Sequence, residues 1–163
     1  HSDGADAEIL AMYYPGASAN KWLKDKPGYP DQQLGGLFMT AEQLERGAAL
    51  PYMDGPAVFK KAVVKFPEVI KEGLNANNLT EKDIDMLIPH QANLRISQYV
   101  QQLLGLSDDK VFNNIQKYGN TTAASVPIAL CEAWEEGKIK DGDLVCLAAF
   151  GSGFTWASAL IRW

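Results

Sequence analysis

Long apolar runs, dense basic clusters, paired cysteines and internal repeats are all missing from this sequence, and each absence removes a class of function. Asp, Glu, Lys or Gly interrupts every hydrophobic stretch before it is long enough to cross a bilayer, so no membrane span is expected. The net charge of −5 argues against a nucleic-acid partner, because a phosphate backbone needs a surplus of clustered Lys and Arg. Lys60, Lys61 and Lys65 fall on one expected helix and Arg95 on another; for the lysines a solvated helix face is the plain reading. The two cysteines, Cys131 and Cys146, have neither CxxC spacing nor nearby histidines, so no metal is expected. Both read as buried thiols in a reducing cytosol, which makes a cytoplasmic protein the expectation. Nothing at the N-terminus reads as a charged segment followed by an apolar run and a cleavage site. The chain opens at His1 without an initiator methionine, so a fragment, an excised domain or a processed chain is expected.

What is present suits a globular fold: 163 residues, 47% of them hydrophobic, are enough for one domain with a real core. From residue 56 onward the pattern alternates between helix and strand periods, which implies an α/β layered sheet. After Gly55 and Pro56, the positions Val58, Phe59, Ala62, Val63, Phe66, Val69, Ile70 and Leu74 form one helical stripe, with a kink expected at Pro67. Residues 80–83 resemble a capped turn leading into a strand over 84–88 that Pro89 ends. A helix is expected over 93–104, with Leu94, Tyr99, Val100, Leu103 and Leu104 inward and Gly105 as its stop. A short strand near 111–113 and a helix over 123–136 follow, the latter tolerating Pro127 only in its first turn. Strands over 144–149 and 154–161 close the chain as a hairpin around Gly151-Ser152-Gly153. Before residue 56, Pro15, Gly16, Pro27, Gly28, Pro30, Gly35 and Gly36 break every periodic segment. Residues 1–55 are therefore expected to be a connecting or covering segment, with one helix near 41–49 and a first strand near 50–53.

Two loops place polar residues directly after apolar strands, where α/β sheets present ligands. They are Pro89-His90-Gln91-Ala92-Asn93 and Tyr118-Gly119-Asn120-Thr121-Thr122. A histidine at a strand end can donate to a developing oxyanion or accept a proton, although position alone fits a structural histidine better. Asn120 offers an amide donor that stays neutral at any working pH, and it reads equally well as a helix cap. The glycine turn lets backbone N–H groups approach a substrate, or is simply a tight hairpin. Ser152 is not expected to be a nucleophile, because a strand rather than a helix follows it.

The string Leu87-Ile88-Pro89-His90-Gln91-Ala92-Asn93-Leu94-Arg95-Ile96 and the later Gly119-Asn120-Thr121-Thr122-Ala123-Ala124-Ser125-Val126-Pro127 closely resemble the β-ketoacyl-acyl carrier protein synthase III family. So do Ala149-Phe150-Gly151-Ser152-Gly153-Phe154-Thr155-Trp156 and the opening His1-Ser2-Asp3-Gly4. The resemblance implies the C-terminal half of a thiolase-like fold over 56–163, with a five-stranded mixed sheet and helices in layers. It also implies that His90 and Asn120 are two members of a Cys, His, Asn triad whose cysteine lies in an N-terminal half absent from this sequence. By the same resemblance, Asn93 and Phe59 line the CoA and pantetheine tunnel, Arg95 docks the carrier protein, and the backbone N–H of Ser152 serves the oxyanion hole. The implied reaction is a decarboxylating Claisen condensation of acetyl-CoA or another acyl-CoA with malonyl-acyl carrier protein, starting fatty acid synthesis with no metal or redox cofactor. The implied partners are acyl carrier protein, the chain's own N-terminal half and, for the intact enzyme, a second copy in a homodimer. Three departures from the family pattern stand out: Pro56 in place of a pantetheine-contacting asparagine, Ser152 in place of a glycine, and extra length over 25–50. The alternatives are a condensing enzyme of specialised metabolism on the same fold, a noncatalytic half that binds acyl groups or carrier protein, and a serine hydrolase built on Ser152 and His90.

Overall fold

The computed structural model describes residues 1–12, 41–45, 47 and 49–163. The expected breaks between Pro15 and Gly36, and most of the extra length over 25–50, lie outside these residues. The chain forms two compact units, one of residues 3–58 with 152–154 and a larger one of residues 1–2, 59–151 and 155–163.

The smaller unit opens with a 3-10 turn, Gly4–Asp6, capped by the Asp3 carboxylate, which accepts the Ala5 N–H at 3.0 Å. Strand β1 (Leu10–Ala11) precedes helix α1 (Ala41–Glu45) and strand β2 (Tyr52–Met53). β1 and β2 pair antiparallel, with Leu10 opposite Met53. The expected first strand therefore exists but is two residues long and belongs to its own small sheet.

Helix α2 (Gly55–Ala76) begins at Asp54, whose carboxylate accepts the Ala57 N–H at 3.0 Å. Its expected stripe is realised: Val58, Ala62, Phe66, Val69, Ile70 and Leu74 are all buried. The helix continues through Pro67 as a single element. Next, the Thr80 N–H and hydroxyl both donate to the Asp83 carboxylate, at 2.7 and 2.8 Å, closing the expected capped turn Glu81–Asp83.

The remaining elements are β3 (Met86–Pro89), α3 (Leu94–Leu104), α4 (Ile115–Tyr118), α5 (Ser125–Glu135), β4 (Leu144–Gly151) and β5 (Thr155–Arg162). β3 pairs parallel with β4, and β4 pairs antiparallel with β5, so the sheet is mixed and runs β3-β4-β5. Among the described residues this sheet has three strands rather than the expected five. The strand expected near 111–113 shrinks to one parallel bridge, Val111 to Leu87, with the Phe112 N–H donating to the Leu87 carbonyl at 3.0 Å. A 3-10 turn at Asp108–Lys110 and α4 from Ile115 leave the chain extended too briefly for a full ladder.

The period of two along the strands divides the core. Met86, Ile88, Val145 and Leu147 pack with Ala129 and Ala133 of α5 and with Ile139. On the opposite face, the Ser158 hydroxyl donates to the Val69 carbonyl of α2 at 2.8 Å, and the rings of Phe66 and Phe150 lie 6.4 Å apart. The three-stranded sheet thus carries helices on both faces. In α3 Val100 and Leu104 are inward as expected, joined by Ile96 and Ser97, while Leu94, Tyr99 and Leu103 are exposed, which corrects that part of the expected stripe. Ile96, Tyr99, Val100, Leu103 and Leu104 form one broad apolar stripe, and the fold buries only its Ile96, Val100 and Leu104 side. The buried side repeats every four residues from Ile96. Gly105 ends α3 at φ 67°, a left-handed turn that suits glycine. α5 starts two residues later than expected, and Pro127 is its third residue, where no helical N–H is required.

Cys146 is buried, as expected, and burial pushes its thiol up to about 12. Cys131 is exposed on α5, against expectation, and its thiol donates to Glu135 Oε1 at 3.6 Å. It occupies the solvent side of a helix whose opposite face, Ala129 and Ala133, fills the core. A disulfide reagent such as Ellman's is expected to modify Cys131 in the native chain and Cys146 only after denaturation. Two fast equivalents would show that the sheet opens around Cys146, at the end away from the hairpin turn.

Candidate active site

The His90 loop is built by backbone pairing that continues past the strand. The His90 N–H donates to the Ala148 carbonyl at 2.8 Å, which extends the β3-β4 ladder one residue beyond Pro89 and fixes where the imidazole starts. Gln91 then turns inward and is buried. Its amide nitrogen donates to the carbonyls of Pro89 at 2.7 Å and Phe112 at 3.4 Å, while Oε1 accepts the N–H groups of Asn114 at 3.0 Å and Ile115 at 3.2 Å. A buried polar side chain with every end satisfied acts as a clamp. It ties the strand end carrying His90 to the start of α4. Asn93 caps α3 by accepting the Arg95 N–H at 2.9 Å, so the chain leaves the site as a helix.

His90 is half-buried, and desolvation pushes its imidazole below the usual histidine range, so the ring stays neutral at and somewhat below the pH where an exposed histidine ionises. Its Nδ1 lies 2.5 Å from the Ser125 hydroxyl at the first residue of α5. Among the described residues Nε2 has no hydrogen-bond partner, which makes it the end of the ring available for chemistry.

Asn120 follows Gly119, whose φ of 67° swings the chain around the end of α4. Its side-chain oxygen accepts the Thr122 N–H at 2.9 Å, so Asn120 ties down the first N–H of the 3-10 turn Thr122–Ala124, although the N-cap position itself is Thr121. The capping and catalytic readings of this residue are therefore compatible. Holding the oxygen on a backbone N–H points the amide nitrogen the other way, and among the described residues that nitrogen has no partner. Thr122 adopts φ 53°, a left-handed conformation that a β-branched residue rarely takes, and such strain persists where surroundings over-determine it. The turn runs directly into Ser125, so Asn120 and His90 are joined through one serine and one turn.

The far side of the Asn120 loop is tied to α5 by Glu132. Its carboxylate accepts from the Tyr118 hydroxyl, from Asn114 Nδ2 at 2.9 Å and from Lys117 Nζ at 3.5 Å. These donors, Tyr118 first, hold Glu132 below the usual carboxylate range. Ser125, Gln91 and Glu132 tie these loops together by hydrogen bonds, and the sequence reading does not single them out. The first two lie inside the recognised motifs, whereas Glu132 carries no local signal.

Arg95 is exposed in the first turn of α3 and makes no ion pair among the described residues. The Phe59 ring meets Tyr99 edge-on at 6.5 Å. Ser152 belongs to the smaller unit, where its hydroxyl donates to the Leu10 carbonyl at 2.7 Å. A serine whose proton is committed to a backbone carbonyl is a poor nucleophile, which weighs against the hydrolase alternative. Among the described residues no helix is long and apolar enough to cross a membrane, and no group of three or more His, Cys, Asp or Glu could hold a metal ion.

The family model described as 3-Oxoacyl-[acyl-carrier-protein (ACP)] synthase III C terminal matches residues 74–163. A curated relative from Campylobacter jejuni, a beta-ketoacyl-[acyl-carrier-protein] synthase III, is 53% identical over 98% of this chain and 52% of its own length. One of the same description from Caldanaerobacter subterraneus is 50% identical over 79% of this chain and 40% of its own length. Among solved structures, a 3-oxoacyl-[acyl-carrier-protein] synthase III from Aquifex aeolicus superposes with TM-score 0.77 at 35% identity, over all of this chain and 42% of that one. The chain spans about half the length of the curated relatives it matches.

Proposed function

Since the chain belongs to the β-ketoacyl-[acyl-carrier-protein] synthase III family, we propose that it supplies the His and Asn of that family's condensing site. In this reading an acyl group from acetyl-CoA or another acyl-CoA rides on a cysteine of a partner N-terminal half. Malonyl-acyl carrier protein then loses CO2, and the resulting enolate attacks the thioester. The observation that carries the reading is a set of two neutral donors: His90 has Nδ1 faced by Ser125, Asn120 has its side-chain oxygen held by the Thr122 N–H, and among the described residues His90 Nε2 and the Asn120 amide nitrogen have no partner. An enolate oxygen needs preorganised donors that do not themselves surrender a proton, and a desolvated imidazole and a carboxamide both qualify. Asn93 and Phe59 are read as tunnel residues, and the Ser152 backbone N–H as part of the oxyanion hole. Residues 1–55 serve as connecting and covering segment, and the full enzyme works as a cytosolic homodimer.

The test is to join this half to a cysteine-bearing N-terminal half and compare malonyl-acyl carrier protein with malonyl-CoA as extender. Preference for the carrier protein is expected; preference for malonyl-CoA would favour a condensing enzyme of specialised metabolism.

Arg95 provides a separate prediction. If it docks an acidic carrier protein, Arg95→Glu weakens turnover of malonyl-acyl carrier protein by roughly tenfold or more and leaves loading from acetyl-CoA nearly unchanged, because only the carrier reads that charge. Raising salt should narrow the difference between variant and wild type, since exposed charges are screened over about 8 Å at physiological ionic strength. Equal losses in both half-reactions would make Arg95 a structural residue.

A further inference from the structure

We propose that Ser125 is a positioning residue whose hydroxyl donates to His90 Nδ1 and thereby holds the imidazole as its neutral Nε2–H tautomer. The inference rests on the reading of His90 as a donor to the enolate, and it says what makes the ring a donor.

Ser125 is 1% exposed, so water does not complete its bonding. Its oxygen already accepts the Gln91 N–H at 3.2 Å and lies 2.5 Å from His90 Nδ1. A serine hydroxyl has one hydrogen to give and two lone pairs to offer. If Nδ1 carried the ring proton, the oxygen would accept from both Gln91 and His90, and its own hydrogen would have no acceptor among the described residues. A buried donor left unpaired is strongly disfavoured. If the hydroxyl instead gives its hydrogen to Nδ1, every group is used: Gln91 N–H to Ser125, Ser125 O–H to Nδ1, and the ring proton on Nε2. That nitrogen is the one with no partner among the described residues.

Geometry keeps this chain in place. Ser125 is the first residue of α5, Gln91 is clamped by four hydrogen bonds, and the ladder from Ala148 fixes the His90 backbone. The consequence is chemical. An Nε2 that carries a proton can stabilise an oxyanion but cannot take a proton from a thiol, so the fold itself excludes His90 as the general base for the missing cysteine.

The direct test is long-range 1H–15N correlation on the chain labelled with 15N-histidine, which has only His1 and His90 to assign. The expected spectrum shows a pyridine-type Nδ1 and a pyrrole-type Nε2 for His90, and Ser125→Ala mixes the two tautomers. A pyrrole-type Nδ1 in the wild-type chain overturns the proposal, as does an unchanged tautomer pattern in Ser125→Ala. The wild-type spectrum is decisive even if that variant fails to fold. In the full-length synthase, Ser125→Ala should slow malonyl decarboxylation roughly three- to tenfold, the worth of one hydrogen bond, without slowing acyl loading. The two readings fail separately. An Nε2–H tautomer beside a His90→Ala enzyme that still decarboxylates supports Ser125 and sinks the assigned reaction. An Nδ1–H tautomer beside a His90→Ala enzyme that no longer decarboxylates sinks Ser125 and leaves the reaction standing.

Discussion

Alanine at His90 or at Asn120 is expected to lower condensation by the full-length enzyme roughly 10²–10³-fold if each is an oxyanion donor, since removing one preorganised donor costs about 2.7–4 kcal/mol. The loss should fall on kcat with KM for malonyl-acyl carrier protein little changed, since the enolate oxygen carries full charge only as CO2 departs. Folding should survive both changes, because the imidazole is only half-buried and Asn120 is exposed. Combining the substitutions should add little to either alone: two donors to one oxygen act as a unit, and the remaining donor is of limited use once the first is gone. Steady-state rates for the wild type, both single variants and the double variant decide the matter. Strict multiplication of the two single losses would mean that the residues serve different steps.

Gln91→Leu carries the second large effect, on stability rather than chemistry. The substitution is nearly isosteric, yet it strips partners from the Asn114 and Ile115 N–H groups and from the Pro89 carbonyl at a buried site. Each unsatisfied buried group costs about 1–3 kcal/mol, and because the Ile115 bond is only part-buried the lower end of the sum over three groups, about 3–5 kcal/mol, is expected. For a chain of this size that lowers Tm by roughly 6–20 °C. Gln91→Glu should be milder in its acceptor half, because the carboxylate still receives both N–H groups, but it loses the two donations to carbonyls. Thermal unfolding of both variants checks this, and a Gln91→Leu chain as stable as wild type would remove the clamp from the account.

Much of this was legible in the sequence where local chemistry and tertiary structure agree. The α2 stripe, the capped turn at Thr80 to Asp83, the glycine stop at Gly105 and the final hairpin rest on short-range rules that the fold does not override. His90 and Asn120 were legible through their motifs. Most of the misses arise from packing against distant parts of the chain, the strand near Val111 being the local exception. The strand near Val111 dwindles to a bridge because the turns on both sides of it confine the extended segment. The inward face of α3 is chosen by what covers it rather than by its spacing, and Cys131 is exposed because Ala129 and Ala133 take the core side of α5. Ser125 and Gln91 sit in plain view within the motifs. Their roles appear only when Ser125 is seen beside a histidine 35 residues away and Gln91 beside a helix start 24 residues away.

If His90 is a donor to the enolate and not a base for the nucleophile, the two half-reactions separate in one variant, and measuring both is the most direct test. With full-length His90→Ala enzyme, radiolabelled acetyl-enzyme formed from acetyl-CoA and CO2 released from malonyl-acyl carrier protein are measured independently. The account predicts that the cysteine is still acylated while CO2 release falls roughly 10²–10³-fold. An enzyme that releases CO2 at the wild-type rate but can no longer be acylated would contradict it and make His90 the general base.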